Sequence, residues 1–125
     1  MLSPLGATTS ASWEAIAAGM SGIRPIESFN TQGFSVRFGG NVPAFDVEPF
    51  VPKKEARRMD GFIQYGLVAG IQAVADAGLV SDHLNLERVG VAVGSGIGGI
   101  VTIETCHAVL QAKGPQKVSP FFVPS

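Results

Sequence analysis

The run Arg88-Val89-Gly90-Val91-Ala92-Val93-Gly94-Ser95-Gly96-Ile97-Gly98-Gly99-Ile100 constrains the fold more than any other stretch of this sequence. Val89 to Val93 is a short β-branched and small apolar run, the pattern of a buried strand. Four glycines then fall within Gly94 to Gly99 before a helical pattern resumes. Strand, tight turn and helix start together predict an α/β chain. Glycine allows close approach of backbone or ligand, so the loop suits contact rather than side-chain chemistry. Its hydroxyl at Ser95 is the nearest thing to a nucleophile, and it holds no acid or base.

Gly94, Gly96 and Gly99 also satisfy G-x-G-x-x-G. A dinucleotide site of that kind needs an acidic residue about 20 positions further on to hold the ribose, and nothing after Glu104 is acidic. A glycine-rich strand-to-helix turn packed inside an α/β domain is the preferred reading, with a nucleotide-binding module as its rival.

The remaining sequence supplies elements around this turn. Thr9 or Ser10 can cap a short helix from Ala11 to Ala18, with Trp13, Ile16 and Ala17 on one face and Gly19 at its C-terminal end. Alternation of Phe34, Val36 and Phe38 supports one short strand. Phe29, Phe34, Phe38, Phe45 and Phe50 punctuate an irregular segment and are expected to anchor it to a core. The longest helix is expected from about Lys54 to Ala77, closed by Gly78. Met59, Phe62, Ile63, Gly66, Leu67, Gly70, Ile71 and Val74 repeat at helical spacing as its buried stripe, with Gly66 and Gly70 marking close approach of another backbone. A further helix is expected from about Ile100 to Ala112.

Lys53, Lys54, Arg57 and Arg58 cluster in the first turn of the long helix, where cations oppose the macrodipole and Glu55 and Asp60 compensate only in part. Two readings stay open on the residues alone: a solvated face, or a docking patch for an acidic partner. The formal net charge is −1, so any electrostatic recognition is local, and no global charge favours nucleic acid or an anionic membrane. Phe residues interleaved with basic ones would suggest base stacking, but only Arg37 lies near.

Cys106 and His107 are adjacent, and neighbours on a helix point about 100° apart, so they cannot form a thiolate–imidazole pair with each other. Cys106 reads as a packing residue and His107 as a surface residue. His83 is a lone loop histidine, and no cluster has metal-ligand spacing. A single cysteine fits a reducing compartment. No signal peptide or membrane-length apolar run is present in these residues, so a soluble, cytoplasmic protein is expected. Charged residues make up 15% against roughly 25% in ordinary domains. With so little charge to cover its own surface, the chain is expected to bury against further protein. Val118 to Ser125, with Phe121 and Phe122 between prolines, strengthens that expectation.

Ser3-Pro4-Leu5-Gly6, Trp13, Gly19-x-Ser21-Gly22-Ile23, Lys54-Glu55-x-Arg57-Arg58-Met59-Asp60, Phe62-Ile63-Gln64-Tyr65, Asp76-x-Gly78-Leu79, Gly94-Ser95-Gly96-Ile97-Gly98-Gly99 and Ser119-Pro120-Phe121-Phe122-Val123-Pro124-Ser125 together resemble the β-ketoacyl-acyl-carrier-protein synthases, most closely their type II condensing enzymes. The resemblance covers residues 1–125. It implies part of the N-terminal half of a thiolase-like α/β/α/β/α sandwich, in a subunit roughly three times this length by the family's habit. The opening strand and everything after Ser125 would lie outside the sequence given.

The implied activity is elongation in fatty acid biosynthesis by decarboxylative condensation with malonyl acyl carrier protein. The family's catalytic cysteine and two histidines are expected beyond Ser125, so no catalytic residue is assigned here and the 125 residues alone are expected to be inactive. By the resemblance, Ile97 gates the acyl pocket, Phe122 forms a pocket wall near a homodimer interface, and Lys54, Arg57 and Arg58 dock the acidic acyl carrier protein. This match favours the docking reading of the basic cluster. No cofactor, metal, nucleic acid or membrane is implied. The alternatives are a non-catalytic chain-length-factor-like subunit and a module that only binds acyl carrier protein.

Overall fold

The computed structural model describes residues 1–79 and 84–123, arranged as two compact units, Met1–Asp46 and Val47–Ser125. His83 lies outside the described residues.

In the first unit, residues 3–6 form a tight turn closed by paired backbone hydrogen bonds between Ser3 and Gly6, 2.9 and 3.2 Å long. The Ser3 hydroxyl also accepts from the Leu5 amide at 3.1 Å and meets the Ser12 hydroxyl at 2.7 Å. Helix α1, Thr9–Ala17, therefore hangs from this turn through its one buried polar side chain among the described residues, and that hydroxyl is satisfied. Thr8 caps α1 by accepting from the Ala11 amide at 3.1 Å, one residue earlier than the sequence suggests. Gly19 follows the helix with φ 70°, the left-handed stop that glycine accommodates at no steric cost.

The expected apolar face of α1 is overturned: Trp13 is 67% exposed and Ile16 54%, whereas Ser12 and Ala15 are buried. The turn lies close against α1: a Cβ at Gly6 would meet Ala11 Cβ at 2.8 Å and the Ser12 amide nitrogen at 3.3 Å, so only glycine fits at that position. The strand expected from Phe34 to Phe38 contracts to β2, Phe38–Gly39, paired antiparallel with β1, Arg24–Pro25. Pro25 has no amide to extend the ladder, and it continues only through the Ile26 amide to the Arg37 carbonyl. The phenylalanines do not all anchor a core. Phe29, Phe34 and Phe38 are exposed, with Phe29 and Phe34 stacked edge to face at 5.8 Å, while Phe45 and Phe50 are half-buried.

In the second unit the single long helix becomes two: α2, Lys53–Ala56, and α3, Gly61–Asp76. Asp60 breaks it by taking an extended conformation and accepting the Gly61 amide at 2.6 Å, as an N-cap does. Gln64 holds the intervening turn by donating to the Ala56 and Met59 carbonyls at 2.9 and 3.1 Å. Val51 and Val68 are buried. The expected stripe is only half-buried or exposed along α3, and Val68, off that stripe, is the residue fully shielded. Gly78 ends the element with φ 67°, as expected.

Residues 89–93 form no strand among the described residues, and Val91 and Val93 are 81% and 72% exposed. A strand exists only through a hydrogen-bonded partner, and the paired strands described here are β1 and β2 alone. Helix α4, Ile100–Lys113, follows the glycine loop almost as the sequence suggests.

Candidate functional site

The break at Asp60 changes the setting of the basic cluster. Lys53 and Lys54 belong to the last turn of α2, and Arg57 is its C-cap. Because α2 is a single turn that begins at Lys53, Lys53 and Lys54 still lie at a helix start, whereas Arg57 and Arg58 follow its end instead of standing inside one long helix. Lys54, Arg57 and Arg58 are all exposed. Lys53 pairs with Glu48 at 2.6 Å across an exposed surface, a contact worth at most about 1 kcal/mol.

Arg58 stacks its guanidinium 4.6 Å from the centre of the Phe121 ring. That cation–π contact brings the segment of residues 57–60 against the Ser119-Pro120-Phe121-Phe122 turn. The turn itself is held by Ser119, whose hydroxyl accepts the Phe121 amide at 3.1 Å and whose carbonyl accepts the Phe122 amide at 3.1 Å. Between these segments and the start of α4 lies an open depression of about 280 Å³, lined among others by Arg57, Arg58, Asp60, Thr102, Cys106 and Phe121. Cys106 is half-buried, and His107 is exposed.

The glycine loop lies along α3. Gly98, at φ 74°, sits over the Phe62 ring, with 3.7 Å from its would-be Cβ position to that ring, and Gly66 receives Val93 at 3.6 Å in the same sense. The close approach expected at Gly66 is thus made by a side chain, and a Cβ at Gly70 would meet nothing within 4 Å beyond its own helix. Within the loop, the Ser95 hydroxyl accepts the Gly98 amide at 3.0 Å. Ile97, at the tip, is 72% exposed. Neither Ile97 nor Phe122 lines the depression that Arg57 and Arg58 share. The structure joins two of the five expected contact residues and leaves Lys54, Ile97 and Phe122 outside it.

Asp60 is the residue that sequence reasoning missed. Its Oδ2 accepts both the Thr102 amide at 3.2 Å and the Thr102 hydroxyl at 2.7 Å, 42 residues away in sequence. Gly99, the N-cap residue of α4, has no side chain to cap that helix. Asp60 therefore caps its own helix with one oxygen and α4 with the other. The Thr102 hydroxyl, first among the causes, and the amides of Thr102 and Gly61 hold its carboxyl below the usual aspartate range, against a smaller opposing push from burial. An aspartate directly after a basic segment and before an apolar helix was a readable N-cap signal; its second helix was not.

This geometry bears on the nucleotide reading. A phosphate at a glycine-loop helix start is bound by the free amides of the first turn. Here a carboxylate already occupies the Thr102 amide and hydroxyl, and an incoming phosphate would meet a like charge.

All 125 residues match the model of the β-ketoacyl synthase N-terminal domain. The chain belongs to the β-ketoacyl synthase family. It is 59% identical over 125 residues to 3-oxoacyl-[acyl-carrier-protein] synthase 2 of Vibrio cholerae, covering 100% of this chain and 30% of that protein. The protein of the same name from Staphylococcus aureus is 46% identical over 123 residues, 98% of this chain and 30% of its own length. The chain thus spans about a third of its curated relatives. Its backbone matches the solved ishigamide ketosynthase/chain length factor with a TM-score of 0.69 and 28% identity, over 98% of this chain and 30% of that one. The helices and loops described above are part of the N-terminal half of a thiolase-like α/β fold.

Proposed function

We propose that this chain is the carrier-docking and acyl-pocket portion of a type II 3-oxoacyl-acyl-carrier-protein synthase, which elongates acyl chains in fatty acid biosynthesis. The observation that carries the reading is the exposed Lys54, Arg57 and Arg58 set, on a chain 59% identical throughout to a protein of that name. In the reaction, a cysteine thiolate takes the acyl group from its carrier thioester. Malonyl carrier protein then loses carbon dioxide, and the resulting carbanion attacks the acyl thioester carbon and expels the thiolate. Those reacting groups lie elsewhere in the longer protein; Cys106 and His107 are not among them. The role of this segment is recognition.

Lys54, Arg57 and Arg58 attract an acidic carrier protein at short range, because opposite charges raise encounter rates and fix orientation more than they add affinity. Ile97 gates the acyl chain and Phe122 walls its pocket near a dimer interface, where each buried methylene contributes about 0.8 kcal/mol. The reading places the protein in the cytoplasm as a homodimer; no helix among the described residues is long and apolar enough to cross a membrane.

The test is steady-state kinetics of the intact protein carrying Lys54→Glu, Arg57→Glu and Arg58→Glu. The KM for acyl carrier protein should rise at least tenfold, and the rise should shrink as salt is added. An unchanged KM would sink the docking assignment. A second reading, a non-catalytic chain-length-factor-like subunit, is kept because the solved neighbour is a ketosynthase/chain length factor. It predicts carrier binding without acylation of the protein.

A further inference from the structure

Three features connect the basic segment to the glycine loop. Asp60 lies two residues after Arg58, accepts both Thr102 donors at the start of α4, and leaves no space at Gly99, whose would-be Cβ lies 2.9 Å from Asp60 Oδ2. Phe62 supports Gly98 from below. Arg58, two residues before Asp60, is itself pinned to Phe121. A displacement of residues 57–60 therefore cannot occur without moving the end of the loop that carries Ile97, unless the Asp60 bonds break.

We propose that Asp60 is a positioning residue that couples the carrier-docking segment to the glycine loop, so that engagement of Arg57 and Arg58 fixes the position of Ile97. This rests on the docking and gating roles assigned above. Asp60 touches no substrate in this account. It acts through Thr102, and the coupling needs both oxygens: Oδ1 on α3 and Oδ2 on α4. An asparagine has one acceptor oxygen and can serve only one helix. The short O–H···O contact of 2.7 Å to a charged acceptor is the stronger of the two bonds to Thr102, so the hydroxyl is the right atom to remove.

The experiment compares the intact wild-type protein with Thr102→Val, Thr102→Ser and Asp60→Asn by amide hydrogen exchange and by kinetics with short- and long-chain acyl carrier protein. Thr102→Val and Asp60→Asn should raise exchange at residues 96–102 at least tenfold, while residues 69–76 of α3 stay within twofold. Both should lower kcat for long-chain donors at least fivefold more than for short ones, with KM for the carrier within twofold. Thr102→Ser, which keeps the hydroxyl, should restore both. Unchanged loop exchange would overturn the proposal, as would a uniform rise across the chain, which marks global destabilisation. Equal loss for all donors would also overturn it. A wild-type protein with no condensing activity would refute the functional reading separately, and the loop exchange would then decide whether Asp60 still positions the loop.

Discussion

Removing the Asp60 carboxylate should destabilise two helix starts at once. Asp60 accepts the Gly61 amide at 2.6 Å, the Thr102 amide at 3.2 Å and the Thr102 hydroxyl at 2.7 Å. Losing an N-cap typically costs about 1 kcal/mol, so Asp60→Ala, which loses both, should cost about 2 kcal/mol. Asp60→Asn keeps one acceptor and should cost about 1 kcal/mol by the same rule. The pH dependence follows from the lowered carboxyl pKa. The folded protein binds the proton less readily than the unfolded chain, so the stabilisation is fully present above the unfolded value of roughly 4 and is lost as pH falls through the folded one. Urea unfolding of the intact protein, followed at pH 7, 5, 4 and 3, would give the difference between wild type and Asp60→Asn. It should be level from pH 7 to about 4 and shrink below. A cost under about 0.3 kcal/mol for Asp60→Ala, small against even a single cap, or a difference that stays level to the lowest pH, would refute the double-cap account.

Gly99→Ala should be destabilising although its φ of −82° suits alanine, because the new methyl meets Asp60 Oδ2 at 2.9 Å. Thermal unfolding should show a lower midpoint for Gly99→Ala, and Gly94→Ala, where nothing lies within 4 Å, should show a smaller change. Val68→Ala removes two methyl groups from the side chain that is 0% exposed and should cost about 2 kcal/mol in denaturant unfolding. Ile97→Phe should shift the intact protein's products toward shorter chains, read by mass spectrometry of the acyl carrier proteins, with the KM for the carrier unchanged.

The helices were legible where local chemistry decides them. Gly19 and Gly78 are left-handed stops and α4 begins directly after the glycine loop, whereas the cap at Thr8 falls one residue before the expected Thr9 or Ser10 and the cap at Asp60 splits what reads as one helix. What local patterning could not supply was partnership. Val89 to Val93 carry the residues of a buried strand, yet burial and pairing depend on backbone that must come from elsewhere in the fold. Trp13 and Ile16 fit a helical stripe, but the residues α1 buries are Ser12 and Ala15, with the Ser12 hydroxyl bonded to Ser3 of the preceding turn. At the candidate site, the basic residues could be picked out by their charge. The Arg58–Phe121 stack and the Asp60–Thr102 pair span 63 and 42 residues of sequence, and no spacing rule reaches that far.

The proposed function requires the intact protein to form carbon–carbon bonds on acyl carrier protein. The most direct test is to incubate the intact protein with acyl carrier protein carrying an acyl chain and with malonyl carrier protein, and to measure carbon dioxide release together with the mass of the acyl product. The account predicts acyl-dependent release of carbon dioxide and a 3-oxoacyl product two carbons longer, both weakened when Lys54, Arg57 and Arg58 are reversed in charge. Carrier binding with neither carbon dioxide nor an extended product would contradict it and leave the chain-length-factor reading standing.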